Sequence, residues 1–473
     1  MQSSELLNEI IARAVDSEMD NLIRDLQRLI RQPSVSAKNQ GITECASLVA
    51  DIMGDAGIDS QILYLDRGVG DVRPGFNSKA NPIVYGEVKS KTNPNGKTIL
   101  FYNHYDVQPE DPIELWDKDP YSGDVEGNYV FGRGASDDKG ELITRIKAVE
   151  CLVRKTGDVP CNVKFVVEGE EEIGSNNISE YLKQYKNLFA CDGIIWEFGY
   201  VDEMNRPIIS LGMKGLLYVE LIAKGPSRDA HSSLAVLIEN PAWNLIRALN
   251  SMRDNSGRIL VKDWYNEVRD FSAQDISLIE QEPFNEEYFR KEYGIKKFVN
   301  NIAGTETRKA LAGDSTCNIA GLLSGYIGEG AKTVLPAVAM AKLDFRLVPD
   351  MVPERQLERI KNHLEEKGFK ENEVAVRFIH GEAAARVSAT DPFATIIQNA
   401  VKEIFGSIIT NVSSAGTGPM HPFIETLKSP CVSVGSTYVY AKIHSPNEFA
   451  RIDLLNNATK CICNIIEKFA KSG

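Results

Sequence analysis

Apolar residues recur at Ile10, Ile11, Val15, Met19, Leu22, Leu26 and Leu29, close to a period of about 3.6 residues, which predicts an amphipathic helix from Leu6 to Arg31. From Thr98 to Trp196 the pattern alternates. Thr98-Ile99-Leu100-Phe101, Val163 to Val167 and Gly193-Ile194-Ile195-Trp196 read as short buried strands. Between the first two, Leu142, Ile143, Ile146, Val149 and Leu152 share one face of a helix from Lys139 to Lys155, and Gly157 stops it. Strand, helix and strand in that order predict an α/β protein with a mixed, mostly parallel sheet covered by helices on both faces.

Near Gly212-Met213-Lys214-Gly215 the character changes. Leu216 to Ile222 reads as a strand, and Asn240-Pro241 as the N-cap and first turn of a helix running to about Met252. Residues 255 to 312 are charge-rich and read as an irregular insertion. Val338 to Leu347, Pro353 to Lys367 (Leu357, Ile360, Leu364) and Val374 to Ile379 then read as strand, helix and strand. This block predicts an inserted α+β domain over residues 214–388, splitting the rest of the chain into 1–213 and 389–473. After Gly381 the chain resumes with Asp391-Pro392 opening a helix that ends at Gly406. Cys431 to Val434 is strand-like, and Ile452 to Lys471 is a closing amphipathic helix.

The predicted strand ends carry the chemistry. His104 closes the first strand in Tyr102-Asn103-His104-Tyr105-Asp106. Asp137 lies in Gly132-Arg133-Gly134-Ala135-Ser136-Asp137-Asp138-Lys139-Gly140, and Glu170-Glu171-Glu172 follows the second strand. Glu197 follows the third, and His444 sits in His444-Ser445-Pro446-Asn447-Glu448. An open α/β sheet places its reactive groups at such ends. Imidazole and carboxylate are the donors that catalytic zinc takes while leaving a position for water. Asp137 bridging two divalent ions, with His104, His444, Glu172 and Glu197 as terminal ligands, brings three negative charges against four positive ones. A hydroxide then makes the site neutral. Two metals together ionise a water and polarise a carbonyl. Asp106 is placed to accept the other ring N–H of His104.

Taken alone, Glu170-Glu171-Glu172 fits a strand-to-helix turn whose acids favour the positive helix end near Ser175. Beside the other four strings it reads as a ligand, Glu172, next to a free carboxylate, Glu171, able to act as general base.

A length of 473 residues exceeds one ordinary core and agrees with two domains. With 53 basic against 66 acidic residues the net charge is −13, which argues against a nucleic-acid partner. The eight cysteines form no Cys-x-x-Cys pair. No long apolar run exists, and Met1-Gln2-Ser3-Ser4-Glu5 lacks the pattern of a signal peptide, so the expectation is a cytoplasmic protein that does not engage a membrane.

The strings His104-x-Asp106, Gly132-Arg133-Gly134 leading into Asp137-Asp138-Lys139-Gly140, Glu171-Glu172, Glu197 and His444 resemble the co-catalytic di-zinc metallopeptidases. That family includes carnosinase-type dipeptidases, aminoacylase, glutamate carboxypeptidase and succinyl-diaminopimelate desuccinylase. Trp116-Asp117, Asp229-Ala230-His231-Ser232, Gly325-Tyr326 and Arg346-Leu347-Val348-Pro349 are most similar to the carnosinase-like branch. The resemblance implies two divalent ions per subunit, zinc first with manganese or cobalt possible, and a homodimer formed through the inserted domain. It implies hydrolysis of an amide bond in a dipeptide or short peptide with a free C-terminal carboxylate. An N-acyl amino-acid deacylase or desuccinylase on the same site is the alternative, and a catalytically silent binding protein a more distant one.

The same resemblance gives His231 the oxyanion of the tetrahedral intermediate in the partner subunit's site, with Thr333 beside it. Arg346 would grip the substrate carboxylate, helped by Thr417 and Gly418 of Gly416-Thr417-Gly418. Asp138 would shape the Asp137 carboxylate through its backbone. Of the remaining histidines, His363 is expected on the exposed side of its helix and His380 in a structural place at a domain hinge. His421 is given no role.

Overall fold

The computed structural model describes residues 2–66 and 80–472, with side chains from Glu9 onward; Met1 and the side chains of residues 2–8, which belong to the N-terminal stretch read above, lie outside them. The chain divides into two compact units. One comprises residues 1–212, 387–411 and 418–473, and the other residues 213–386 with the short return 412–417.

An eight-stranded sheet organises the first unit. Its order is Asp59–Leu63, Ile83–Val88, Asn162–Glu168, Thr98–His104, Gly193–Trp196, Cys431–Ser433, Ile208–Ser210 and Ile409–Asn411. The four central strands, from Asn162–Glu168 to Cys431–Ser433, are parallel to one another. Every residue of the strands Asn162–Glu168 and Gly193–Trp196 is buried, as unbroken apolar runs in a covered parallel sheet should be. The helices Gln2–Arg31, Lys139–Thr156, Pro392–Phe405 and Ile452–Ala470 pack against one another as one group. The start of Lys139–Thr156 is pinned by the buried Lys139, whose Nζ donates to the carbonyls of Leu29 (2.8 Å) and Gln32 (2.9 Å) at the end of the first helix. Gly157 caps its other end at φ 76°, a left-handed conformation that suits glycine. No helix among the described residues is long and apolar enough to cross a membrane.

The second unit is built on a four-stranded antiparallel sheet in the order Asn318–Ser324, Val338–Leu347, Gly215–Lys224, Val374–Glu382. Alternation sorts the side chains. Leu217, Val219, Leu221, Leu343, Phe345 and Leu347 form one core with residues of the helices Pro241–Met252 and Pro353–Glu366, whereas Arg346 alternates to the other face. Asn240 caps the first of these helices, its Oδ1 accepting from the N–H of Ala242 at 2.9 Å.

Two expectations are corrected here. Residues 255–312 are not irregular throughout: they include the helices Ala273–Gln281, Glu286–Glu292 and most of Thr305–Gly313. Each is short, so no long apolar period marks it. Local caps hold the first two: a capping box between Ser272 and Asp275, and Asn285 accepting from Tyr288. A small core of Ile279, Ala312 and Val412 ties the region together. His363 is buried, not exposed. It shares the inner stripe of its helix with Gln356, Ile360 and Leu364, and its Nε2 lies 3.1 Å from both the hydroxyl and the carbonyl of Ser251. His380 lies within the strand Val374–Glu382, opposite Tyr218.

Candidate metal centre

The first unit gathers the five proposed ligands. His104 is the last residue of its strand, in register with Glu168 of the neighbouring parallel strand. Glu197 follows Gly193–Trp196 directly. Asp137 sits in the turn before Lys139–Thr156, Glu171 and Glu172 open the single turn Glu171–Ile173, and His444 lies in a loop at φ 58°. The Asp137–Asp138 peptide bond is cis.

Asp137 stands between two histidines. Its Oδ1 is 3.1 Å from Nε2 of His104, and its Oδ2 is 3.1 Å from Nε2 of His444. Nε2 of His444 is also 3.2 Å from Oε2 of Glu172. His104 thus groups with Asp137 and Glu172, and separately with Asp138 and Glu197, each set close enough to surround one cation. One buried oxygen of Glu197, Oε2, and one of Asp138, Oδ1, have no hydrogen-bond partner. A buried carboxylate oxygen left so is costly unless a cation answers it. The donor set of imidazole and carboxylate, with a carboxylate offering one oxygen to each side, fits a pair of divalent cations.

Surrounding residues hold these donors in place. His104 Nδ1 lies 3.0 Å from the backbone carbonyl of Asp106 and 3.4 Å from its carboxylate, so the carbonyl is the nearer acceptor for the ring N–H. The Asp106 carboxylate instead accepts the N–H groups of Glu171 (3.2 Å) and Glu172 (3.1 Å), because it points across to the turn that presents them. Asp138 Oδ2 accepts from Asn103 Nδ2 at 2.6 Å and from the N–H of His104 at 3.0 Å, which reaches beyond the backbone role expected for it.

Four supporting residues carry no expectation from sequence. Gln108 donates to Glu172 Oε2 at 2.8 Å. The buried Glu448 accepts N–H groups from Gly134, Ser136 and Asp137 and is paired with Arg133 at 2.8 Å, which fixes the loop carrying Asp137. Arg145, fully buried, donates to the carbonyls of Tyr102, Trp196 and Glu197 and to Asn103 Oδ1, all within 2.8 Å. It ties the ends of the two strands that present His104 and Glu197. Glu448 and Arg133 lie inside the quoted strings. Arg145 sits on a helix read only by its apolar stripe, where a lone arginine gives no signal of its partners.

The electrostatics follow from crowded acids. Loss of water, with the charges of Glu172, Asp137 and Asp106, pushes the Glu171 carboxyl up to about 8 against the pull of His104. Burial likewise raises Glu172 and, strongly, Glu197. His444 is pushed up to about 10 by its hydrogen bonds to Asp137 and Glu172. For Asp137, burial acts upward, but the hydrogen bonds from His104 and His444 outweigh it and hold the carboxyl low. Cations take ionised carboxylates and neutral imidazoles, so binding must displace protons from the raised groups. Metal affinity is therefore expected to climb as pH rises from 6 to 8, with net proton release at pH 7. Calorimetric titration of the metal-stripped protein in buffers of different ionisation heat reads that release directly. Heats that do not depend on the buffer would contradict it.

In the second unit, His231 and Thr333 are exposed neighbours, with Nε2 of His231 3.5 Å from Thr333 Oγ1 and Nδ1 2.8 Å from Ser233 Oγ. Arg346 Nη1 donates to Thr417 Oγ1 at 2.7 Å and meets no carboxylate among the described residues. Gly418 belongs to the first unit, where its carbonyl accepts the N–H of Met420.

A carboxylate standing between a histidine at the end of a parallel strand and a second histidine in a loop, with further carboxylates around them, fits a metal-dependent hydrolase, and the comparisons with known proteins agree. Residues 100–468 match the profile of Peptidase family M20/M25/M40, and the chain belongs to that family. It is similar to a Beta-Ala-His dipeptidase of Homo sapiens, 27% identical over 93% of this chain and 89% of that protein. It is also similar to a Cys-Gly metallodipeptidase of Schizosaccharomyces pombe, 26% identical over 96% of this chain and 97% of the relative. Among solved structures, an M20 family metallo-carboxypeptidase from Sulfolobus solfataricus superposes with a TM-score of 0.85 at 34% identity, covering 95% of this chain and 99% of the other. The chain is an enzyme of the metallopeptidase class.

Proposed function

We propose that the chain is a metallodipeptidase: it hydrolyses the amide bond of dipeptides and short peptides that carry a free C-terminal carboxylate, in the cytoplasm, as a homodimer. The observation that carries the reading is the placement of the two Asp137 oxygens at 3.1 Å from two different histidines. Two divalent cations, zinc before manganese or cobalt for this donor set, supply an acidified water and a polarised carbonyl when bound. Asp137, His104, His444, Glu172 and Glu197 hold the cations. Glu171, whose raised pKa suits proton transfer near neutrality, takes the proton of the attacking water and delivers it to the leaving nitrogen. His231, with Thr333, steadies the developing oxyanion. Arg346 and Thr417, with the backbone at Gly418, take the substrate carboxylate; a half-buried guanidinium with no acidic partner among the described residues is suited to that.

Two features of the second unit support the dimer. Val236, Leu237, Trp243 and Ile246 stay exposed on and beside the helix Pro241–Met252, and the edge strand Asn318–Ser324 leaves Ile319, Leu322 and Leu323 exposed. Unpaired apolar edges and patches of this kind are typically covered by another chain.

The test uses dipeptides, their C-terminal amides and N-acyl amino acids, each with and without chelator. Amidation should cost about a hundredfold in kcat/KM, the value of a charge-assisted contact of about 3 kcal/mol. Arg346→Ala should impose a similar loss on the free acid and little more on the amide. Equal losses on both substrates would remove Arg346 from carboxylate recognition. Turnover of N-acyl amino acids without dipeptides would favour the deacylase reading.

A further inference from the structure

The strands Gly193–Trp196 and Cys431–Ser433 run parallel, with Trp196 opposite Ser433. The same two stretches of chain pair again in parallel a little further on, with Tyr200 opposite Thr437. Between the two pairings lie Glu197-Phe198-Gly199 on one side and Val434-Gly435-Ser436 on the other, outside any strand. Glu197, a proposed cation ligand, is the first residue of this gap. Its walls approach closely. A Cβ at Gly199 would fall onto the backbone of Val434 and Gly435, and one at Gly435 onto the N–H of Gly199 and the carboxylate of Glu141.

Two side chains of the helix Lys139–Thr156, one turn apart and so on one face, reach both walls of the gap. Arg145 donates to the carbonyls of Trp196 (2.7 Å), Glu197 (2.6 Å) and Val434 (3.3 Å). Glu141 Oε1 accepts the N–H of Ser436 (2.5 Å) and the hydroxyl of Thr437 (3.0 Å). A cation thus answers the carbonyls and an anion answers the N–H and O–H donors. Both residues are buried, and every residue of the arrangement belongs to the first unit. Glu141 Oε2 has no hydrogen-bond partner among the described residues. A buried carboxylate satisfied on one oxygen carries a desolvation cost that an apolar residue of similar size would avoid. What it offers in return is the placement of Ser436 and Thr437.

We propose that Glu141 is a positioning residue for the cation that Glu197 holds. Thr437, fixed by Glu141, donates its N–H to the carbonyl of Gly199 at 3.1 Å, which closes the far end of the turn Glu197-Phe198-Gly199. With Arg145 at the near end, the turn is held at both ends, and the Glu197 carboxylate stays grouped with His104. The second cation, at Asp137, Glu172 and His444, does not depend on this clamp. The loop of His444 is fastened separately, through Glu448 to the N–H groups of Gly134, Ser136 and Asp137. The proposal rests on the reading of Glu197 as a cation ligand.

The test titrates the metal-stripped, full-length protein with Zn2+ against a chelating competitor at one fixed pH. Wild type should take two ions, and Glu197→Gln should weaken one of them. Glu141→Leu should weaken one ion about 10- to 100-fold, the usual cost of losing a residue that orients a ligand, and leave the other within about threefold. Glu141→Gln, which keeps an accepting oxygen for Ser436 and Thr437, should restore that affinity. The double variant Glu141→Leu/Glu197→Gln should lose no more than Glu197→Gln alone, since both act on the same ion. Equal weakening of both ions, unchanged affinities, no rescue by glutamine, or losses that add in the double variant would overturn the proposal; general destabilisation gives the first or the last of these. If Glu141→Leu does not fold, Thr437→Val decides: it removes one of the two donors and should weaken the same single ion, and unchanged affinity would overturn the proposal. A wild type that takes fewer than two ions, or a Glu197→Gln variant that binds both as tightly, would instead strike the ligand set itself and the proposal with it.

Discussion

Glu171→Gln should leave both metals bound and lower kcat by two to four orders of magnitude, roughly the value of a positioned general base. None of the five proposed ligands changes in this variant, and Gln108 still donates to Glu172. The backbone N–H of residue 171 also still reaches Asp106. What is lost is a group that accepts a proton at neutral pH. Burial and the neighbouring acids push the Glu171 carboxyl up to about 8, and the positive charge of bound cations acts in the opposite direction, toward the range a base needs. KM should change little, since the amide is nearly the same size and still polar. The comparison is Asp137→Ala, which removes an oxygen from beside each histidine and should lose metal together with activity. Metal analysis and kinetics on both variants separate the roles. Near wild-type turnover in Glu171→Gln would remove it as the base, and full metal occupancy in Asp137→Ala would remove the bridge.

The elements that carry the proposed metal donors were the legible ones, for a physical reason. A buried parallel strand is a run of apolar residues, and a donor that closes or follows the run is marked by the contrast, as with His104 closing the strand that holds Leu100-Phe101 and Glu197 after Ile195-Trp196. The helix Pro241–Met252 was legible through its Asn-Pro start, because the cap is a local interaction between neighbours in sequence. The sheet edges were not. Asp59–Leu63 and Ile409–Asn411 are short, half-exposed strands whose pairing is decided by partners far along the chain. The same limit hid Arg145, whose acceptors lie from 42 to 289 residues away, and the pairing of Arg133 with Glu448 across 315 residues. His363 was misjudged because a histidine's polarity suggests a solvent face. Its position relative to Gln356, Ile360 and Leu364 is what buries it.

Mixing Glu171→Gln and His231→Ala subunits should restore activity that neither variant has alone. His231 is exposed, with Thr333 beside it, and its Nε2 has no acceptor closer than 3.5 Å among the described residues; that leaves a ring N–H available to a group from outside its own unit. Loss of an oxyanion donor costs on the order of 10²- to 10³-fold in kcat, so each homodimer is nearly silent. If His231 serves the partner's site, a heterodimer has one site lacking both groups and one site complete. Random exchange in equal amounts then yields roughly a quarter of wild-type activity, since half the dimers are mixed and each holds one intact site. The heterodimer is purified through two different tags, so that its presence is verified before assay. Trp243→Glu, placed on the exposed apolar helix face, should weaken the dimer and abolish the rescue in parallel. Verified heterodimers without activity would confine His231 to its own subunit or remove it from the reaction, and a monomer with full activity would do the same.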